Sequence, residues 1–268
     1  MSSVVVTVVQ ARRGSSRLPD KVLAPVSGEP LLVRMLERVR AARTVGTVVV
    51  ATTAADADQA IVDLCADLGV ACVRGDEHDL LDRHVQAARA HRAEIVVKIP
   101  SDCPLIDPGV IDLVIGRMLA HPERWDYVSN LHPATWPDGN DVEVMTMDAL
   151  ETAWRVADRD FEREHTTPFL WERGDQFRLD NVVWPGGRDC SMSHRFTIDY
   201  PEDLEFIRAV FGRLHPGNPL FSLEDILTLL DREPDIREIN ARYAGVNWYR
   251  HHLDELSTVD RDQTRLVE

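Results

Sequence analysis

The sequence predicts an α/β fold, with a mainly parallel sheet covered by helices on both faces and a smaller antiparallel portion late in the chain. Three observations predict it. The runs "VVVTVV", "TVVVATT" and "EIVVKI" are almost continuously apolar, as strands buried on both faces must be. The stretches between them repeat their apolar residues at helical spacing, which is the β-α-β alternation of a parallel sheet. From about Asn130 the text changes, and "DVEVMTM" alternates in the manner of a half-buried antiparallel strand.

In chain order, Val4–Val9 reads as the first strand. Pro30–Arg43 reads as an amphipathic helix with Leu32, Met35, Leu36 and Val39 on one face and Pro30 in its first turn. Thr47–Thr53 is the second strand. Ala60, Ile61, Leu64, Cys65 and Leu68 mark a helix that Gly69 stops. Val70–Val73 is a short strand, Leu80, Leu81, His84, Val85 and Ala88 mark a third helix, and Glu94–Ile99 is the fourth strand. Asp141–Met147 is the antiparallel strand, followed by helical text from Asp148 to about Arg173 and a strand over Phe177–Trp184. Gly186–Gly187 is a loop, Arg195–Ile198 a short late strand, Pro201–Leu214 a helix and "LEDILTLL" another. The expected organisation is one domain over residues 1–256 with an insertion at about 130–193, then a polar tail over 257–268.

The chain of 268 residues carries a formal net charge of −15. That argues against binding nucleic acid or an anionic membrane, both of which require a basic surface. No apolar run reaches membrane-spanning length, and "MSSVVVTVVQARR" lacks the pattern of a signal peptide. Cys65, Cys72, Cys103 and Cys190 show no C-x-x-C spacing and read as reduced, buried thiols. A cytoplasmic protein is the expectation.

Against this acidic background, "QARRGSSRLPDK" (Gln10–Lys21) sets Arg12, Arg13, Arg17 and Lys21 against Asp20 alone, directly after the first strand. The carboxyl end of a parallel strand is where such sheets contact ligands. Gln10, Ala11 and Gly14 offer backbone, Ser15 and the adjacent Ser16 can donate to phosphate oxygens, and the cations can neutralise a triphosphate. The bland alternative is a solvated charged loop. The spacing matches neither a P-loop nor a dinucleotide-binding glycine motif. "SDCPLIDP" (Ser101–Pro108) places Asp102 at the end of the fourth strand, and "FTIDYPEDLE" (Phe196–Glu205) places Asp199 at the end of the short late one. Each acid reads either as a turn or helix cap, or as a ligand of a divalent ion. Asp141 and Glu143, on one face of an alternating strand, are candidates for acceptor or a second metal, against the alternative of a plain exposed strand face. His165 is a candidate acceptor contact or a structural histidine. Arg163, Arg188 and Arg195 remain for an anionic acceptor.

These three fingerprints resemble those of the CTP-dependent cytidylyltransferases that activate acidic sugars, the enzymes for 3-deoxy-manno-octulosonic acid and acylneuraminic acids. "RGDEHDLLDRHVQAA", "SN…DGNDVEV" and "REHTTPFLW" are similar to segments of the spore-coat polysaccharide branch. The resemblance implies a Rossmann-type, glycosyltransferase-A-like three-layer sandwich, with an inserted antiparallel arm that makes a homodimer. It implies that Arg12, Gly14, Ser15, Arg17 and Lys21 bind nucleotide phosphates and that Asp102 and Asp199 hold Mg²⁺. It also implies that Arg74, Thr52 and Thr53 lie near base and ribose. Ser101 and Pro100 stand where the family often has glycine and a polar residue. The implied reaction transfers CMP from CTP to an anionic acceptor (a sugar acid, a phosphorylated metabolite or a phosphonate) and releases pyrophosphate, with Arg12, Lys21, Asp102 and Asp199 as its catalytic residues. The rivals are a sugar transferase of the same fold, for which no D-x-D follows the fourth strand, and a non-catalytic nucleotide-binding regulator.

Overall fold

The computed structural model describes residues 3–266. Strand β1 (Val5–Gln10) is followed by a ten-residue basic loop and a small hairpin of β2 (Pro25–Val26) and β3 (Glu29–Pro30). Ser27 and Gly28 both take positive φ at its tip, the two-residue turn whose twist suits a hairpin; the sequence reading had no strand there. Then come α1 (Leu31–Ala41), β4 (Thr47–Thr53), α2 (Gln59–Asp67), β5 (Ala71–Gly75), α3 (Leu80–Ala90), β6 (Ile95–Pro100) and α4 (Pro108–Ala120). The remainder is β7 (Tyr127–Ser129), β8 (Glu143–Thr146), α5 (Met147–Val156), α6 (Asp160–His165), α7 (Pro168–Trp171), β9 (Leu179–Asn181), α8 (Pro201–Leu214), α9 (Leu223–Arg232) and α10 (Pro234–Glu238).

The seven-stranded sheet runs β5-β4-β1-β6-β8-β7-β9. The first four strands are parallel, β8 is antiparallel to both its neighbours, and β9 runs parallel to β7. Alternate residues of β1 feed two cores. Val5 and Val9 pack with α1, α4, α8 and α9, while Val6 and Val8 pack with α3, α5 and α7. This is the expected three-layer arrangement, and it explains why the parallel strands show no polar face.

The segment 130–193 supplies the expected antiparallel pairing, but inside the sheet: it does not leave the body as an arm. β8 sits between β6 and β7, so Asp141–Met147 is not a half-solvated strand; Val142 to Met145 are all buried. The helical text after it breaks into three short helices. Arg195–Ile198 is not a strand. It makes one isolated bridge, Asp138 to Arg195, because its backbone is used to join two loops. The tail is not free either: Val259 and Thr264 are buried, and the Thr264 hydroxyl accepts from Asn247 N–H at 3.0 Å. No helix among the described residues is long and apolar enough to cross a membrane.

Candidate active site

The chain leaves β1 towards β4 on one side, while β6 pairs on the other. The carboxyl ends of β1 and β6 therefore part company at a topological switch point, where open α/β sheets bind ligands. Gln10 and Pro100 are register partners, and Ser101 N–H donates to the Gln10 carbonyl at 3.2 Å. The basic loop and the Asp102 loop thus begin side by side.

Asp199 reaches the same point through backbone bonds. The Asp102 carbonyl accepts from the Ile198 N–H at 2.9 Å and from the Thr197 hydroxyl at 3.0 Å. Gly139 makes this approach possible. Its φ is +105°, and an added Cβ would lie 2.5 to 2.8 Å from backbone atoms of Phe196 and Thr197, closer than any side chain tolerates.

Lys21 joins the two acids. Its ammonium donates to the Ile198 carbonyl at 2.7 Å and to Asp199 Oδ1 at 3.1 Å, and lies 3.7 Å from Asp102 Oδ2. Arg17 meets Asp199 at 2.8 Å and Arg195 meets it at 3.3 Å. Burial alone would raise the Asp199 carboxyl, but Lys21, Arg17 and Arg195 together pull it down to about 2. Arg12 has no ion pair or hydrogen-bond partner among the described residues and is half-buried in the wall. Arg13 is already committed, donating to Asp20, the Ala57 carbonyl and, through its N–H, Asp58.

Arg12, Arg17, Lys21, Asp102 and Asp199 line a cleft of about 870 Å³. Of the expected nucleotide set it gathers Gln10, Ala11, Arg12, Ser15, Arg17, Lys21, Ser101, Asp102 and Asp199. Four members do not line it. Gly14 is exposed beside the cleft, with ordinary negative φ. Thr52 and Thr53 are the buried last residues of β4, and the Thr53 hydroxyl donates to Asp58. Arg74 is spent on the Thr53 and Ala55 carbonyls and the Gln59 side chain; its pairing with local acceptors, not a ligand, explains its place.

Arg83 is the residue the sequence reading missed. Only 4% exposed, it lines the cleft near Arg12; it donates to the Glu77 carbonyl at 3.0 Å and to that of Asp76, and its Nε is without a partner. Burial, then Arg12, lowers its pKa. The signal was available: Arg83 falls three residues after Leu80 and four before Ala87, on the buried face of α3, where an arginine needs a reason.

The expected acceptor residues scatter. Arg163 and His165 do line the cleft; Arg163 is paired with Asp79 at 2.6 Å and His165 is stacked on Trp248 at 3.7 Å. Glu143 lies within the sheet opposite its register partner Lys98, accepting from its ammonium and from the Tyr127 hydroxyl at 2.6 Å. This pair is 2% and 7% exposed and makes no exposed strand face. Arg195 is a buried hub: it binds Asp203 at 2.9 and 3.1 Å, Asp138 at 3.1 Å, the Val246 carbonyl and Asp199. It has nothing left for an acceptor. Asp141 opens on a second cavity, and burial, then Asp102, pushes its carboxyl up to about 7.

Among the described residues no group of three or more histidines, cysteines, aspartates or glutamates is arranged to hold a metal by itself. Two aspartates converging on one ammonium do fit an ion that takes its remaining ligands from phosphate and water, which is how Mg²⁺ is commonly held.

A switch-point cleft with a cationic floor and two converging acids defines a nucleotidyltransferase-type site. The chain belongs to the cytidylyltransferase family, whose model matches residues 6–229. It is 33% identical over 237 residues to an uncharacterized protein of Methanocaldococcus jannaschii, covering 88% of this chain and 94% of that one. It is 30% identical over 236 residues to the spore coat polysaccharide biosynthesis protein SpsF of Bacillus subtilis, covering 86% and 95%. Among solved structures, a cytidylyltransferase from Leptospira borgpetersenii superposes with a TM-score of 0.82 at 32% identity over 87% of this chain and 96% of that one. The protein is therefore a nucleotidyltransferase enzyme.

Proposed function

We propose that the enzyme transfers CMP from CTP to a small acceptor bearing an anionic oxygen, releasing pyrophosphate. The observation that carries this reading is the ammonium of Lys21 bridging Asp102 and Asp199 at the floor of the cleft. The triphosphate lies along the basic loop, with Arg12, Arg17 and Lys21 neutralising its oxygens and Arg83 offering its free N–H. The acceptor oxygen attacks the α-phosphorus in line; the bond to the bridging oxygen of the β-phosphate breaks, and pyrophosphate leaves with that electron pair. An oxygen that is already anionic needs no general base, so no histidine is assigned one. Asp102 and Asp199 would hold one Mg²⁺, which supplies charge neutralisation at the attacked phosphoryl group. Lys21 then turns from bridging the acids to the phosphates.

Asp102→Asn and Asp199→Asn keep shape and remove charge. Each is expected to lower Mg²⁺-dependent pyrophosphate release by at least two orders of magnitude while the melting temperature changes by only a few degrees. Normal turnover in either folded variant removes that residue from the site, and release of a nucleoside diphosphate from a nucleotide sugar would favour the sugar-transferase reading instead.

A further inference from the structure

Helix α6 brings Asp160, Arg163, Glu164 and His165 into the wall of the cleft. With the basic loop given to phosphates and the two acids to a metal ion, α6 is the wall left for the acceptor. Arg163 is already committed, to Asp79 and to the Trp154 and Ala157 carbonyls at 3.1 and 3.2 Å. His165 is not. Neither of its ring nitrogens has a hydrogen-bond partner among the described residues, and neither is sealed from solvent. Burial, then Lys98, keeps the ring neutral, with its pKa pulled down to about 3. A neutral imidazole offers one donor and one acceptor, which is what a hydroxyl group needs and what an anionic oxygen does not.

The ring is held from two sides. Behind it, Thr166 has φ +73° and ψ −51°, and the Thr167 N–H donates back to the His165 carbonyl at 2.9 Å. This is the γ-turn of positive φ, the rare and strained form, and it is centred on a β-branched residue that ordinarily avoids that region. Such strain persists only where the surroundings over-determine it, and it gathers at functional sites. Here Thr166 is fully buried, with its N–H on the Glu162 carbonyl at 3.0 Å. Thr167 is 2% exposed and faces Glu143. Burial alone would raise the Glu143 carboxyl, but Lys98, the Thr167 hydroxyl and the Tyr127 hydroxyl pull it down. The ion pair inside the sheet is thus tied to the turn that carries His165. In front, Trp248 stacks on the imidazole, with centroids 3.7 Å apart and planes 16° from parallel, and Tyr249 backs Trp248 at 4.8 Å. Trp248 lies beyond the residues 6–229 matched to the family.

We infer that Thr166 and Trp248 are positioning residues, whose strained turn and aromatic face fix the His165 imidazole to bind a hydroxyl group of the acceptor. The inference rests on the cytidylyl-transfer reading and assigns the residues that orient its acceptor. The anionic oxygen is drawn to the cations of the basic loop, and a hydroxyl elsewhere on the same molecule meets His165. Charge alone leaves an acceptor free to turn about its anionic end, whereas a second, directional contact does not. A relaxed turn at Thr166, or an open face in place of Trp248, would let the ring swing and lose that direction.

The test follows the His165 ring itself. The ¹⁵N-labelled full chain, with Mg²⁺ and the non-transferable α,β-methylene-CTP, is titrated with gluconate and with hexanoate, which keeps the carboxylate and chain length but has no hydroxyl. Gluconate is expected to shift the His165 ring nitrogens saturably and to bind about tenfold or more tightly than hexanoate, since a site built to bond a hydroxyl rejects the analogue lacking it. His165→Phe keeps a stacking ring and removes both nitrogens, and should weaken gluconate by about tenfold while the nucleotide analogue changes by less than about twofold. Glycine accepts the φ of Thr166, so Thr166→Gly is expected to keep its melting temperature within a few degrees and still bind gluconate about threefold more weakly. Trp248→Leu should do the same, and Trp248→Phe should restore most of the loss. A turn and stack of structural use only would give lower stability with gluconate binding unchanged. Equal binding of hexanoate, no saturable shift with gluconate, saturation of the His165 signals by the nucleotide analogue alone, or unchanged gluconate binding in both Thr166→Gly and Trp248→Leu overturns the inference. Pyrophosphate release from CTP is measured in parallel. Turnover without a gluconate response at His165 removes this inference alone, whereas that response with no pyrophosphate release on any hydroxylated acid removes the transfer reading and with it the acceptor role.

Discussion

Lys21 is 12% exposed in its side chain and holds three oxygen partners from segments far apart in the sequence. Arg12 holds none among the described residues. A charge-assisted hydrogen bond to phosphate contributes ~1.5–3 kcal/mol, so Lys21→Ala and Arg12→Ala are each expected to lower kcat/KM for CTP by about tenfold or more. Arg74→Ala is the contrast. Its guanidinium is consumed by local carbonyls outside the cleft, so it should change kcat/KM by less than about twofold; steady-state kinetics on the three variants distinguish the two placements, and a loss at Arg74 equal to that at Lys21 contradicts them. The cationic cluster holding Arg12 and Lys21 was legible in the sequence, and both residues line the cleft. The placement of Arg74 was not legible, since nothing in "VRGDEH" tells whether a guanidinium turns to a ligand or back onto its own loop.

At the scale of elements, the short stretch before α8 decides the geometry of the second acid. The fully buried Asp203, in the first turn of α8, accepts from the backbone N–H groups of Asp199 and Tyr200 at 2.9 and 3.0 Å, from Arg195 twice and from Asn240 at 2.9 Å. Removing it takes away two of the hydrogen bonds of the buried Arg195 guanidinium and leaves the Asp199 and Tyr200 N–H groups without partners. Asp203→Ala is therefore expected to destabilise the protein by about 3–5 kcal/mol, read as a shift in the urea midpoint at unchanged slope. A loss under about 1 kcal/mol would mean that Arg195 finds compensation from Asp138 and Asp199 alone. The apolar text of "RFTI" suggested a strand, and all four residues Arg195 to Ile198 are indeed buried, but continuous burial does not distinguish a ladder from a segment that zips two loops together.

Across the whole molecule, three neutral histidines lower stability as the pH falls below 6.5, against the opposite contribution of Asp141, whose raised carboxyl takes up its proton in the folded state. His84 is fully buried; its Nδ1 bonds the Leu80 carbonyl at 2.9 Å and its Nε2 has no partner. Burial, reinforced by Lys98 and Arg83, pulls its pKa from 6.5 to about 3. Burial likewise pulls His165 to about 3 and His132 to about 4. Above pH 6.5 both folded and unfolded chains hold these rings neutral. As the pH falls below 6.5 the unfolded chain takes up protons that the fold refuses, so stability is lost by ~1.4 kcal/mol per pH unit for each such ring, until the folded pKa is reached. Unfolding followed between pH 7 and 5 should show this fall well above the carboxylate range, and His84→Asn should make it shallower by one ring's share; an identical slope in the variant means that His84 is not the source.

What the sequence by itself determined is the parallel half of the sheet with its helices, and where along it the charged residues fall. Period and apolar content distinguish helices from buried strands, so β1, β4, β6 and the helices between them were readable, as were the basic loop and the two acids that end short apolar runs. What only the tertiary structure decided is which of these groups meet. Pairing Asp102 with Asp199 depends on the Asp102 carbonyl taking the Ile198 N–H, and the depth of Glu143 depends on β8 entering between β6 and β7. The cavity beside the cleft exists because the last residues fold back over the loop 130–141. Local patterning is a property of neighbours a few residues apart, whereas a side chain's partners are set by long-range packing, and that is why Arg195, read as a free cation for an acceptor, is a buried hub tied to Asp138, Asp199 and Asp203.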